Sequence, residues 1–140
     1  LFYLGMQDQF YTFNMFDCQA WYARDVIMGK TQVPDDAEIE KDINNWVVKE
    51  EALEDSIQMI DFQTEYTKDL QVASDYPKID FELIRTHLKE WKHHKEENIM
   101  TYRDKSFSSP VTGTVAPLHH TPWVEAMDDS MTTFMKAKSS

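Results

Sequence analysis

The sequence opens on Leu1-Phe2-Tyr3-Leu4, a wholly apolar run that Gly5 ends, and no other feature constrains the fold so tightly. Successive side chains of a strand point to opposite faces, so an unbroken apolar run needs cover on both. That is the pattern of a strand inside a parallel sheet. Such a strand also needs neighbours along both edges, because buried backbone N–H and C=O groups without partners cost free energy. The remaining residues offer no second run of this quality. The expected partners therefore lie outside the chain. With no initial Met and an opening inside an apolar run, it reads as part of a longer protein.

Residues 10–28 carry the next signal. Phe13, Phe16, Ala20, Ala23 and Ile27 fall on one face of a helix, and Met15, Cys18, Tyr22 and Val26 on another. A helix apolar nearly all round is expected to be buried on several sides. Gly29-Lys30 is a stop signal. Strand, turn and buried helix together make one βα unit of a doubly wound sheet. The domain reading is residues 1–32 for this unit and residues 33–140 for a helical extension.

The extension begins where Pro34-Asp35-Asp36 opens a helix with Ile39, Ile43, Trp46 and Val47 at helical spacing. Ser56 starts or continues another, with a stripe of Met59, Phe62, Tyr66 and Leu70. Asp75-Tyr76-Pro77 breaks the pattern, and Asp80 can cap a helix carrying Phe81, Ile84, Leu88 and Trp91. Residues 106–120 read as a wrapping loop. Thr121-Pro122 then starts a last helix with Trp123, Met127, Met131 and Phe134 on one face.

The net charge of −11 repels phosphate backbones and anionic lipid, so neither nucleic acid nor a membrane surface is an expected partner. No apolar run approaches a membrane span. A single cysteine, Cys18, precludes an intrachain disulfide and suits a reducing, cytoplasmic setting. It sits among aromatics, as a small core residue does. His93-His94 and His119-His120 are adjacent pairs that cannot readily share one ion, and no cysteine or carboxylate cluster completes a site. They read as surface or capping histidines. The chain contains no dinucleotide glycine fingerprint, no P-loop and no nucleophile elbow.

The segment Gly5-Met6-Gln7-Asp8-Gln9-Phe10-Tyr11-Thr12-Phe13-Asn14 joins the C-terminal end of the strand to the helix, where ligands bind in open α/β sheets. Side-chain amides and an acid beside three aromatic rings suit a flat polar heterocycle. They equally suit a well-packed βα turn.

Several long runs carry a specific resemblance. They are Leu1-Phe2-Tyr3-Leu4-Gly5-Met6-Gln7-Asp8-Gln9, Tyr11-Thr12-Phe13-Asn14-Met15-Phe16-Asp17 and Gln19-Ala20-Trp21-Tyr22-Ala23-Arg24-Asp25-Val26-Ile27-Met28-Gly29. Glu90-Trp91-Lys92-His93-His94-Lys95, Thr112-Gly113-Thr114-Val115-Ala116-Pro117 and His119-His120-Thr121-Pro122-Trp123 continue it. Through these the chain resembles the C-terminal portion of the bacterial flavin-containing monooxygenases, of the kind that N-oxygenates trimethylamine.

The resemblance implies an α/β parent with two dinucleotide-binding domains, one for FAD and one for NADPH, both preceding residue 1. This segment would be mostly α, with one orphan parallel strand. The implied chemistry is oxygenation of a small amine by dioxygen through a C4a-hydroperoxyflavin, with NADP held in place. The protein's share is positioning and water exclusion. An S-oxygenating enzyme of the same class and a non-catalytic helical interaction module are the competing functions. By resemblance, Gln7 and Gln9 are cofactor contacts, and Phe10, Tyr11 and Asn14 are walls of the substrate pocket. Arg24 is a contact to NADP, with Asp17 or Asp25 as its alternative partner. The resemblance assigns no catalytic side chain and no metal ligand to this chain. It implies a homodimeric parent, and a segment inactive alone.

Overall fold

Four helices follow one another: α1 (Thr12–Ile27), α2 (Asp36–Glu51), α3 (Ser56–Val72) and α4 (Phe81–Glu97). The structure, a computed structural model, describes residues 1–5 and 9–115. The expected helix after Thr121-Pro122, the second histidine pair and the end of the wrapping loop lie outside the described residues.

Local chemistry sets the helix boundaries. Asp35 and Glu38 form a reciprocal capping box at the start of α2, with Glu38 N donating to Asp35 Oδ1 at 2.9 Å. Asp55 accepts from Ile57 N and Gln58 N to start α3, and Asp80 accepts from Leu83 N to start α4. At the other end of α1, Gly29 takes φ +70°. Its N–H donates to Val26 O at 3.0 Å while Lys30 N donates to Asp25 O at 2.8 Å. This is the double hydrogen bond of a Schellman stop, and the positive φ is why glycine stands there.

α3 is the hub, touching α1, α2 and α4. The core gathers Tyr11, Met15, Cys18, Tyr76 and Phe81, with Trp21, Tyr66, Leu70, Ile79, Ile84 and Leu88 packed against it. Residues 1–32 thus share a core with the following helices. α2 joins through Trp46, which meets Phe62 and Tyr66 edge-on with centroids 5.3 and 5.6 Å away, and through an ion pair of Lys49 with Glu65 at 2.7 Å. Ile43 and Val47 of its expected stripe are exposed.

Two expectations need correction. Residues 1–4 form no strand, and no strand occurs among the described residues beyond an isolated antiparallel bridge between Ser108 and Val115. A strand is defined by its ladder, and no edge is available to pair with these residues. Leu1 and Tyr3 are open to solvent as a result. Nor is α1 covered all round. Met15, Cys18 and Ala23 are buried, while Phe13 is 79% and Ile27 74% exposed, because among the described residues only one helix, α3, lies along it.

Candidate functional site

The end of the first turn meets α4 in a groove of about 470 Å³, lined by Gln9, Phe10, Thr12, Ile84, His87, Leu88, Trp91 and Phe107. Its walls are apolar and aromatic, the usual make-up of a small-molecule site. His87 packs at a tilt against Phe107 with centroids 5.1 Å apart, and its Nε2 lies 3.4 Å from Ser108 Oγ. Two features distinguish the groove from ordinary packing. Gln9 Oε1 is buried and has no hydrogen-bond partner among the described residues. A buried amide oxygen left so costs about 1–3 kcal/mol, which a donor from a ligand would recover. Thr12, a β-branched residue, holds φ +33°, a strained conformation of the kind that gathers at binding sites.

The resemblance-derived site residues fall in different places. Gln7 lies outside the described residues. Gln9 and Phe10 line the groove. Tyr11 is turned into the core instead, its hydroxyl 2.6 Å from Thr64 Oγ1 and 3.4 Å from the Phe81 carbonyl oxygen, and burial pushes its pKa up to about 12. Asn14 is half-buried beside the Tyr76 hydroxyl. Cys18 is fully buried, and burial, with the charge of Asp17 beside it, pushes the thiol up to about 12. His93 and His94 pair with Glu97 and Glu90 along α4 at 3.3–3.5 Å.

Arg24 stands away from the groove. Its Nε and Nη2 donate to Asp25 Oδ1 at 2.8 and 2.6 Å, Nη2 also donates to Asp75, and the guanidinium lies 4.3 Å over the Trp21 ring. Of its two expected carboxylates, Asp25 is a partner. Asp75, 51 residues away, is the one that sequence gave no sign of. Asp75 also accepts from Trp21 Nε1 and from Lys30 Nζ, and these donors, Trp21 first, hold its carboxyl well below its ordinary value.

Sequence reasoning assigned Ile84, Leu88 and Trp91 to a core stripe and gave His87 and Phe107 no role. Nothing in the sequence pattern places Phe107 over α4. The pairing of a half-buried stripe with an aromatic in the following loop is seen only in three dimensions.

No protein-family model matches the chain. Individual relatives do. The chain is 76% identical over 135 residues to the trimethylamine monooxygenase of Pelagibacter ubique (strain HTCC1002), covering 96% of this chain and 30% of that protein. It is 54% identical over 134 residues to the trimethylamine monooxygenase of Methylocella silvestris, again covering 96% of this chain and 30% of the relative. Among solved structures it matches the crystal structure of Tmm from Pelagibacter sp. strain HTCC7211 with a TM-score of 0.85 and 76% identity, over 94% of this chain and 30% of that one. These relatives are monooxygenases throughout. The chain corresponds to the C-terminal portion of these trimethylamine monooxygenases, spanning about 30% of their length.

Proposed function

We propose that this chain is the C-terminal portion of an FAD- and NADPH-dependent monooxygenase that converts trimethylamine to its N-oxide. The identity of 76% across nearly the whole chain is the observation that carries the reading. In it, residues 1–32 form the last βα unit of an FAD-binding domain and residues 33–140 a helical extension. The exposed Leu1, Tyr3, Phe13 and Ile27 support this division, since all four would be covered by a sheet and helices supplied from elsewhere in the parent. Exposed Ile43, Val47 and Val48 on α2 support a role for the extension in a dimer contact.

The residues of the groove fit part of a cofactor. Gln9 Oε1 is an acceptor waiting for an N–H, and Phe10, Trp91 and Phe107 offer flat apolar contact to a ring. When bound, the flavin supplies oxygen activation and NADPH the electrons. The chain's own task is to orient a ring through Gln9, to exclude water with Phe10, Ile84, Leu88 and Trp91, and to hold the turn rigid. For Arg24 to meet a dinucleotide phosphate, the phosphate would have to replace Asp75, the more exposed of its two carboxylates.

The test is a pair of measurements. Incubated with FAD and desalted, the 140-residue chain should emerge without a flavin absorbance band, and a full-length enzyme carrying it should retain one and turn over trimethylamine faster than a sulfide. A near-stoichiometric flavin on the isolated chain would refute the reading. Preference for the sulfide would move the activity to the S-oxygenating alternative.

A further inference from the structure

The interface between α1 and α3 contains a polar seam. Gln19, Gln63, Thr64 and Thr67 are at most 5% exposed. The two threonines are satisfied by their own helix, donating to Ile60 O at 2.7 Å and to Gln63 O at 2.8 Å. The two glutamines reach outward. Gln19 Oε1 accepts from Gly5 N at 2.9 Å, and Gln63 Oε1 accepts from Phe10 N at 2.7 Å. Gln19 Nε2 also donates to the Tyr66 hydroxyl at 3.1 Å, tying the first anchor to α3.

An apolar side chain such as Met or Leu would fill the same volume at less desolvation cost, so packing does not account for two buried amides. The backbone N–H groups they satisfy do. Those groups belong to Gly5 and Phe10, and Phe10 and its neighbour Gln9 line the groove. Gly5 shows how close the approach is: at φ +70° a Cβ there would sit 2.4 Å from Phe16 Cε1.

We infer that Gln19 and Gln63 are positioning residues. They fix the backbone of Gly5 against α1 and of Phe10 against α3, and so set the Gln9–Phe10 wall of the groove in the place where a cofactor ring is received. The inference rests on the functional reading above, and it adds two residues that touch no ligand themselves.

The experiment uses a full-length enzyme carrying this chain, with Gln63→Met, Gln63→Glu, Gln19→Met and Gln9→Met. Methionine keeps the volume and removes the acceptor, and glutamate keeps the acceptor. Amide hydrogen exchange at Phe10 is measured on cofactor-free protein, with α4 amides as the internal reference, and FAD and NADP dissociation constants are measured separately. Gln63→Met should speed exchange at Phe10 at least tenfold with α4 unchanged, and weaken one cofactor at least fivefold. Gln63→Glu should restore both values, and Gln19→Met should act the same way at Gly5. Unchanged exchange at Phe10, or an equal rise in α4, overturns the inference. Gln9→Met separates the two levels. If it weakens a cofactor while Gln63→Met does not, positioning fails and the groove reading stands. If neither variant affects a cofactor, the groove reading has failed, and the inference falls with it.

Discussion

Asp25→Ala should loosen the corner where α1 ends beside the turn after α3. Asp25 is 1% exposed. Its carboxylate takes Nε and Nη2 of Arg24 at 2.8 and 2.6 Å on one oxygen, and the backbone N–H of Asp75 at 3.0 Å on the other. Removing it leaves the Asp75 N–H unpartnered, at about 1–3 kcal/mol. The two Arg24 bonds add less than a fully buried pair would. The Arg24 side chain is 35% exposed and Asp75 still holds it, so water and the second carboxylate replace much of what is lost. The Asp75 N–H alone sets the expected cost of about 1–3 kcal/mol, or roughly 5- to 140-fold in an opening equilibrium at 1.4 kcal/mol per tenfold. Amide exchange at Lys30 and Ala73 reads this directly. Their own hydrogen bonds, to Asp25 O at 2.8 Å and Asp69 O at 2.9 Å, survive the substitution, so faster exchange reports the corner and not a deleted bond. Asp25→Asn, which keeps an acceptor for Asp75 N, should give a smaller acceleration. Exchange within threefold of the parent chain at both amides would refute the clamp.

Two further predictions follow from the same corner. The Asp75 carboxyl is held below its ordinary 3.8 by Trp21, Lys30 and Arg24, so its folded pKa is lower than its unfolded one. Its contribution is therefore fully present above about pH 4 and is lost as pH falls through the folded value. Asp75→Asn should make the acid limb of a circular-dichroism titration shallower below about pH 4 and leave neutral pH little changed, and an identical acid limb would remove the side chain from the account. If Arg24 meets a dinucleotide phosphate, Arg24→Ala in a full-length enzyme should raise KM for NADPH several-fold more than KM for the amine. Equal changes would confine Arg24 to its clamp with Asp25 and Asp75.

What could be read from sequence was local. The Asp80 cap, the start of a helix at Ser56 and the stop at Gly29 each depend on a few adjacent residues, and α1 spans Thr12–Ile27 against an expected 10–28. The α3 face was harder. Its apolar stripe of Met59, Phe62, Tyr66 and Leu70 is only partly buried, and the face pressed into the core is Ile60, Gln63, Thr64 and Thr67. Periodicity counts apolar residues, so a polar face buried by satisfied hydrogen bonds is invisible to it. The contacts that shape the site are also remote: Gln63 to Phe10 spans 53 residues, and Asp25 to Asp75 spans 50. No window along the chain contains both partners. The sequence singled out residues 5–14 from their place before a helix. It could not say that Tyr11 faces Thr64 and that Phe10 faces α4.

The geometry of the groove also bears on why such a chain would need the remainder of its family's length. Sites for small molecules bury most of the ligand surface, about 70–90%. Here one wall is the Gln9–Phe10 turn and the other is α4 with Phe107. A groove of about 470 Å³ with two walls has room for a ring system, not for a dinucleotide. The acceptor left unsatisfied among the described residues of the groove, Gln9 Oε1, can orient a ring but cannot hold one against water. If the proposed flavin is received here, shielding it from solvent demands further walls, and the uncovered apolar side chains of Leu1, Tyr3, Phe13 and Ile27 are the surfaces on which they could be built. Under the proposed function the chain's contribution would be placement: a strained Thr12, a glycine fitted against Phe16 and two buried glutamines hold the backbone at Gly5 and Phe10 where a cofactor assembled elsewhere could meet it.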